Sequence, residues 1–206
     1  MSAQFLYQLT KRVQTAILTR WWNLSGRWLL NLEGVSFEQA PTLYGCPIVS
    51  LSPNSKISLG KDVVLCSNSH FTALGVSRPV ILRTLRPNAS ITIGNDTGMS
   101  GVAICAAVSI QIGANCLFGA DVQIFDTDFH KITADNRRHD DNPDHIAAAP
   151  IIIEDNVFIG AGSKIMKGVR IGQNSVIGAG SIVSKDIPPN SIAAGVPAKV
   201  IANMAI

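Results

Sequence analysis

Between residues 153 and 183, an aliphatic residue returns at every sixth position. The series contains Ile153, Ile159, Ile165, Ile171, Ile177 and Val183. A second lane lies two residues before each member and contains Ile151, Val157, Ser163, Val169, Ser175 and Ser181. Helices and flat strands repeat after about 3.6 and about 2 residues, so neither explains a period of six. A chain that turns a corner every six residues does, and the pattern therefore predicts a parallel β-helix.

Weaker copies of this hexad come earlier in the chain. The six-residue step is kept by Pro53, Leu59 and Leu65. Residues 66–90 lose the step, which predicts an irregular excursion or a distorted coil. The pattern restarts at Ile91 and Ile93, and one extra residue between Met99 and Ile112 predicts a bulge or a register slip.

Two further segments depart from the repeat. Residues 126–150 are polar and break the rhythm, which predicts a long loop; loops of this length are usually functional. The proline-containing segment 184–206 is predicted to close the domain. Three hexads make one triangular coil whose faces are short strands, so residues 41–206 are predicted to form a single all-β domain.

Residues 3–32 are predicted to form one amphipathic α-helix, which with a linker makes up an N-terminal segment 1–40. Apolar residues follow steps of three and four at Leu6, Leu9, Val13, Ile17, Trp21, Leu24 and Trp28. The charged residues of this helix are all basic, namely Lys11, Arg12, Arg20 and Arg27. Two interpretations stay open: the helix packs on the first coils or a neighbouring subunit, or it makes a peripheral contact with an anionic membrane surface through its tryptophans.

Composition narrows the function classes. Of the 206 residues, 47% are hydrophobic but only 6% are aromatic, which is typical of an aliphatic core of stacked short strands. The formal net charge is +3, and no Lys/Arg cluster is interleaved with aromatic residues, so nucleic-acid binding is not expected. The four cysteines lack paired CxxC spacing, and neither a membrane-spanning run nor a signal-peptide pattern is found, so a cytoplasmic protein is expected. If the helix binds lipid, its place would be the inner face of the membrane.

Two segments resemble the sugar O-acetyltransferases of the hexapeptide-repeat acyltransferase family. They are ITIGNDTGMSGVAICAAVSIQIGANCLFGADVQIFDTDFH and APIIIEDNVFIGAGSKIMKGVRIGQNSVIGAGSIVSKDIPPNSIAAGVPAKVI, and together they cover somewhat under half of the chain. Enzymes that acetylate polysaccharide or nodulation-factor sugars are the most similar branch, with maltose and galactoside acetyltransferases as relatives. The resemblance implies a left-handed parallel β-helix, acetyl-CoA as the acetyl donor, and a homotrimer with each active site between subunits.

The resemblance identifies His130 as the catalytic base, because the motif DTDFH matches the family's catalytic histidine. Histidine is suited to this role since its imidazole exchanges a proton near neutral pH. Asp128 is predicted to orient His130, while Asp126 is an alternative and either carboxylate could instead cap a turn. The other histidines, His70, His139 and His145, are expected at the surface or in loops.

The donor site is also carried over from the family by position. The pantetheine arm of acetyl-CoA is expected along the small corner residues Gly160, Ala161, Gly178 and Ala179, and the CoA phosphates near Lys185 and Lys199. Glycines at such corners can equally serve the fold alone. No Cys or Ser lies in a recognisable nucleophile motif, so direct transfer without an acyl-enzyme is expected.

The predicted function is therefore O-acetylation of a sugar hydroxyl, on a surface polysaccharide or its lipid-linked precursor. N-acetylation of an amino sugar, acetylation of serine, and a trimeric scaffold without activity remain alternatives. A zinc-dependent carbonic anhydrase on the same fold would need three histidines at spacings that this chain does not offer, and no metal is expected.

Overall fold

The structure, a computed structural model, describes residues 2–204. One α-helix, α1, spans Ala3–Leu32. It is followed by short strands at β1 (Ser36–Phe37), β2 (Thr42–Tyr44), β3 (Ile48–Ser50), β4 (Lys56–Leu59), β5 (Val64–Cys66), β6 (Ile81–Thr84), β7 (Ser90–Ile93), β8 (Gly98–Ser100), β9 (Ala103–Ala106), β10 (Ser109–Ile112), β11 (Leu117–Phe118), β12 (Gln123–Phe125), β13 (Ile151–Ile153), β14 (Phe158–Ile159), β15 (Lys164–Ile165), β16 (Arg170–Ile171), β17 (Val176–Ile177), β18 (Ile182–Val183), β19 (Ser191–Gly195) and β20 (Ala198–Asn203).

From β1 to β18, consecutive strands belong to sheets 1, 2 and 3 in turn, so the chain winds around a triangular prism. Sheet 1 has the order β1-β4-β7-β10-β13-β16, and sheet 3 has the order β18-β15-β12-β9-β6-β3. Sheet 2 has the order β2-β5-β8-β11-β14-β17-β19-β20. All neighbours within the sheets are parallel except β19 and β20, which form an antiparallel pair at the end of sheet 2. The parallel β-helix predicted from the hexads is confirmed.

The core is a stack of aliphatic residues in equivalent positions of successive coils. Ile110 pairs in register with Ile91 on one side and with Ile151 on the other, and all three side chains are fully buried. Burying one such side chain contributes about 1.5–3 kcal/mol. Serines that replace aliphatic residues in the second lane are buried too, but they are satisfied by the backbone: Ser163 Oγ donates to the carbonyl of Gly178 at 3.0 Å.

The irregularities of the repeat lie close to where the sequence places them. The buried positions step by five residues from Met99 to Ile104 and by eight from Ile104 to Ile112, which gives the one extra residue predicted in that interval. A short 3₁₀ turn at Ser69–Phe71 lies within the predicted excursion. Regular structure resumes with β6, earlier than predicted.

The prediction for one residue of the early repeat, Pro53, was wrong. Pro53 lies exposed in a turn, and the buried lane of its coil is formed by Pro47 and Val49 instead. Four residues more than the hexad requires separate Val49 from Leu59, so a repeat counted backwards from Leu59 reaches the turn rather than the core.

Helix α1 has the predicted bounds and begins at an N-cap, where the Ser2 hydroxyl accepts a hydrogen bond from the Phe5 amide at 3.3 Å. It docks on the prism only near its C-terminal end. Gly26 and Leu30 are its buried residues, and the Asn23 side chain bonds both backbone groups of Leu43. Within residues 2–204, no helix combines the length and the apolar character that crossing a membrane requires.

Candidate active site

His130 lies where the chain leaves the prism. It follows strand β12 by five residues, at the corner between sheets 3 and 1, and its side chain is exposed. Its backbone amide donates to the carbonyl of Asp128 at 2.7 Å. His130 is the fifth residue of the loop formed by residues 126–150, which connects β12 to β13 and is called the 126–150 loop.

The two ends of the 126–150 loop are held together as a short antiparallel base. Thr127 and Ala148 form a β-bridge, and the amide of Asp128 donates to the carbonyl of Ala147 at 3.0 Å. The amide of Ala149 donates to the carbonyl of Asp126 at 2.9 Å. His130 therefore extends from a braced base rather than from a free segment.

Asp126 ties this base to the coil below. Its side chain is fully buried, and its two oxygens accept hydrogen bonds from the amides of Ala107 at 2.5 Å and Val108 at 2.8 Å. Burial raises the pKa of this carboxyl, although the backbone N–H groups act in the opposite direction. These amides follow the register slip after β9, so Asp126 satisfies backbone donors that the slip leaves without strand partners.

Asp128 ties the base to the coil above. Its Oδ1 pairs with Lys167 Nζ at 2.5 Å, while its Oδ2 is buried without a hydrogen-bond partner. Among residues 2–204, no hydrogen bond joins this carboxylate to the ring of His130. Asp128 thus lies two residues before His130 in the chain, but its carboxylate binds Lys167 and makes no contact of the predicted kind with the imidazole. Lys167 was not singled out from the sequence.

Phe129 is the second residue that sequence reasoning missed. Its φ is +61°, a left-handed conformation that is unusual for a bulky side chain. The other non-glycine residues with positive φ in the described part of the chain are all Asn or Asp. The ring of Phe129 contacts that of Phe125, with centroids 5.5 Å apart, so the strained residue immediately before His130 is fixed by packing.

A cavity of about 380 Å³ lies between the 126–150 loop and the prism. Phe129 lines it together with Thr127 from the loop base, and Leu85, Arg86 and Ala107 line it from neighbouring coils. The Arg86 guanidinium donates to the carbonyl of Ile146 at 2.8 Å, which connects the far side of the loop to the prism.

The outer part of the loop is organised around Asp140. This carboxylate binds His145 Nδ1 at 2.8 Å and Lys131 Nζ at 3.0 Å. These hydrogen bonds lower the pKa of Asp140 from 3.8 to about 2, and the bond with His145 has the larger effect. His145 and His139 are both exposed in the loop, and His70 is exposed in the excursion, as expected.

The four small residues predicted to bind pantetheine, Gly160, Ala161, Gly178 and Ala179, lie together at the corner between sheets 2 and 3; we call them the donor corner. A Cβ on Gly160 would lie 2.5 Å from the backbone nitrogen of Ala179, so stacking of the coils already requires glycine there. Ala179 is exposed, and a Cβ on the next residue, Gly180, would meet nothing within 4 Å. The outer surface of this corner therefore has no side chain larger than a methyl group, which fits a thin flexible arm.

Gly119 extends the same column by one coil. A Cβ on it would lie 2.5 Å from the nitrogen of Ala161, which repeats the relation between Gly160 and Ala179. The dipeptide Gly-Ala at 119–120, one coil before 160–161, was the signal in the sequence. Lys185 and Lys199 are both exposed in the closing segment, Lys199 on β20 opposite Ala194.

Two features bear on alternative chemistries. In the part of the chain that the structure describes, no group of three or more His, Cys, Asp or Glu side chains is arranged to hold a metal ion. Cys105 pairs in register with Phe125, and burial raises the pKa of its thiol despite the opposing charge of Arg83. A thiol held in its protonated form is a poor nucleophile.

Known proteins match both the repeat and the fold. A family model described as a hexapeptide repeat of succinyl-transferase matches residues 109–124 and 150–185. The galactoside O-acetyltransferase of Lactococcus lactis is 40% identical over 113 residues, which are 55% of this chain and 47% of that relative. The chain thus matches about half the length of this curated relative.

Solved structures extend the comparison. A hexapeptide-repeat-containing acetyltransferase from Vibrio cholerae is 30% identical with a TM-score of 0.52, over 60% of this chain and 71% of that one. Its complex with acetyl coenzyme A is 32% identical with a TM-score of 0.51, over 56% and 61% of the two chains. The polySia-specific acetyltransferase NeuO is 25% identical with a TM-score of 0.53, over 84% of this chain and 87% of its own. The chain therefore belongs to the hexapeptide-repeat acyltransferase family, and its three sheets form the left-handed parallel β-helix of that family.

Proposed function

We propose that the protein is an acetyl-CoA-dependent O-acetyltransferase that modifies a sugar hydroxyl, with His130 as the general base. The position of His130 carries this proposal: it is exposed, follows a braced loop base, and adjoins a residue that lines a cavity of about 380 Å³. The galactoside O-acetyltransferase relative supports the sugar acceptor, and the acetyl-CoA complex of the Vibrio cholerae structure supports the donor.

Direct acetyl transfer requires the protein to position a general base beside the sugar hydroxyl and the thioester. Acetyl-CoA supplies the acetyl group as a thioester. His130 accepts the proton of the sugar hydroxyl while that oxygen bonds to the acetyl carbonyl carbon. The C–S bond then breaks, and the imidazolium returns the proton to the departing sulfur. Atoms and charge balance without a covalent enzyme intermediate, in agreement with the raised pKa of the Cys105 thiol.

We further propose a polysaccharide or its lipid-linked precursor as the acceptor. NeuO, a polySia-specific acetyltransferase, aligns over 84% of this chain. The cavity beside Phe129 suits one saccharide unit, because it combines an aromatic ring with the polar side chains of Arg86 and Asp141. It lies at a prism corner under a loop, a position from which a longer chain can extend into solvent.

A homotrimer is the assembly that we propose. In one chain, His130 follows sheet 3 and the donor corner follows sheet 2, so the two lie at different corners of the prism. A neighbouring copy can bring its donor corner to this His130, whereas a single chain cannot. Closed cyclic symmetry with three copies would give three such sites.

An apolar ladder on the outer face of sheet 2 supports such a contact. It contains Leu117, Phe158, Val176 and Ile192, which are paired in register on successive coils. Leu117 is 56% exposed and Phe158 is 42% exposed. A contiguous outward-facing row of this kind is typical of a protein–protein interface.

The test of the catalytic proposal is His130→Ala. We expect kcat to fall about 10²–10⁴-fold with acetyl-CoA and an oligosaccharide acceptor, since general-base catalysis contributes about that much. Release of CoA thiol would be followed with a chromogenic disulfide. His139→Ala, an exposed histidine of the same loop, is the matched control and should retain wild-type activity. A His130→Ala variant that keeps more than about a tenth of the rate would exclude this base.

A further inference from the structure

Helix α1 has an outward row of large apolar side chains that the prism does not cover. The row, here called the outward stripe, consists of Leu6, Leu9, Val13, Ile17, Trp21, Leu24, Trp28 and Leu32. Each of these side chains is between 47% and 72% exposed. Because they are spaced by three or four residues, they form one continuous stripe along a helix that is about 45 Å long.

The outward stripe lies on the face of α1 that is opposite the docked face. Gly26 is buried against the prism, whereas Leu24 and Trp28, each two residues away, are 72% and 65% exposed. Two residues correspond to about 200° of rotation around an α-helix, so the stripe points away from the prism. The docked line continues towards the N-terminus through exposed polar residues at Thr15 and Gln8, while most of the large exposed apolar side chains of α1 lie in the outward stripe.

The charge of α1 identifies what the outward stripe fits. Its charged residues are Lys11, Arg12, Arg20 and Arg27, and it contains no acid. Of these, Arg27 is held near the prism by the carbonyl of Pro41, while Arg20 is exposed. A second copy of α1 would add four further cations to the assembly, whereas a surface of anionic headgroups complements them.

We propose that the outward stripe of α1 docks on the surface of an anionic lipid bilayer. The helix would lie parallel to the surface, with its apolar side chains about 5–10 Å into the boundary between headgroups and acyl chains. Trp21 and Trp28 are suited to this depth, because the indole ring combines an apolar body with one N–H donor. The prism, on the opposite side of α1, remains in water. This docking does not depend on the proposed acetyl transfer.

The experiment is co-sedimentation of the full chain with sucrose-loaded vesicles. Vesicles of equal parts phosphatidylglycerol and phosphatidylcholine are compared with vesicles of phosphatidylcholine alone. We expect at least tenfold tighter binding to the anionic vesicles, and weaker binding as salt is added. The variant Arg20→Gln, at an exposed position three residues after Ile17 and four before Leu24, should lose about fivefold in affinity.

The apolar part is tested by the double variant Trp21→Ser/Trp28→Ser. We expect it to lose at least tenfold in affinity for the anionic vesicles. Gln8→Ser/Thr15→Ser changes two exposed residues on the other face and is the matched control, with wild-type binding expected. Unchanged thermal unfolding of both double variants would show that α1 and the prism are intact.

Three results would overturn the proposal. They are no binding to anionic vesicles, equal binding to both vesicle types, and unchanged binding of the tryptophan double variant. Light scattering after gel filtration tests whether a second copy of the chain covers the stripe instead of lipid. If the tryptophan double variant dissociates an assembly of the wild-type chain, a second copy covers the stripe and the lipid proposal fails. CoA-release activity on a small sugar acceptor is measured separately, so failure of docking and failure of acetyl transfer are distinguishable.

Discussion

At the scale of single residues, corner positions of the prism are fixed by two different constraints. Gly160 has an ordinary φ but no room for a Cβ, because the backbone of the next coil approaches it. Gly162 has a φ of +71° and open space around it. Asn and Asp fill most other left-handed corners, such as Asn156 and Asn174, since they tolerate this conformation best among residues with a Cβ.

These two constraints predict opposite tolerance at neighbouring glycines. We expect Gly160→Ala to lower the free energy of unfolding by about 1–3 kcal/mol, because its methyl group would be forced against the Ala179 backbone. Gly162→Asn should change it by less than about 1 kcal/mol, since only the conformational preference is altered. Urea unfolding followed by tryptophan fluorescence measures both. Equal losses for the two variants would mean that coil stacking does not select glycine at position 160.

At the scale of elements, the 126–150 loop combines two anchors with different chemistry. Its base is held by the buried carboxylate of Asp126 on backbone amides, while its outer part is held by Asp140, which binds Lys131 and His145. The Asp140 anchor consists of contacts between ionisable side chains that are partly exposed to solvent, whereas Asp126 is fully buried. We therefore expect the Asp140 anchor to respond to pH and salt.

The pKa of Asp140 gives the pH window. Because its pKa falls from 3.8 to about 2 in the folded protein, its stabilising effect is complete above 3.8 and is lost as the pH falls through about 2. We expect His145→Ala to shift the carboxyl pKa, measured by ¹³C NMR titration, upwards towards 3.8. His139→Ala is the control and should leave it at about 2. An Asp140 that titrates near 3.8 in the wild-type protein would contradict the anchor.

The elements also show what the sequence could and could not predict. The bounds of α1 and the strands after Ile91 follow from periodicity, because a repeat of 3.6 or 6 residues recurs many times along these segments. Pro53 was placed wrongly since insertions before Leu59 carry no periodic signal. Phe129 and Lys167 were missed for a different reason: their roles arise from backbone strain and from a contact across 39 residues of sequence, and neither leaves a local pattern.

At the scale of the whole molecule, the separation of His130 from the donor corner leads to a prediction about mixed assemblies. A His130→Ala chain and a chain with its donor corner blocked by Ala179→Trp should each be inactive alone. Position 179 is exposed, so the large ring would obstruct the corner without entering the core. Co-expressed chains should regain CoA-release activity, because one copy then supplies the base and its neighbour the open corner.

Two controls make that experiment decisive. The mixed assembly must match the wild-type mass by light scattering, which is expected to be that of a trimer. A mixture of the two purified homo-oligomers, without subunit exchange, should stay inactive. Restored activity is incompatible with a site formed within one chain, and continued inactivity of a verified mixed assembly would contradict a site shared between copies.

The reversal of direction between β19 and β20 has a consequence for the free ends of this solenoid. A stack of parallel rungs presents, on its last rung, the same unpaired backbone edge that its first rung could extend. Here β20 runs antiparallel over that edge in sheet 2, so another molecule cannot continue the winding there. At the opposite end, α1 lies on β2 and covers the start of the same sheet. Both ends of sheet 2 are thereby covered, which opposes head-to-tail growth into fibres along this sheet, a hazard inherent in any fold that is built by repeating one rung.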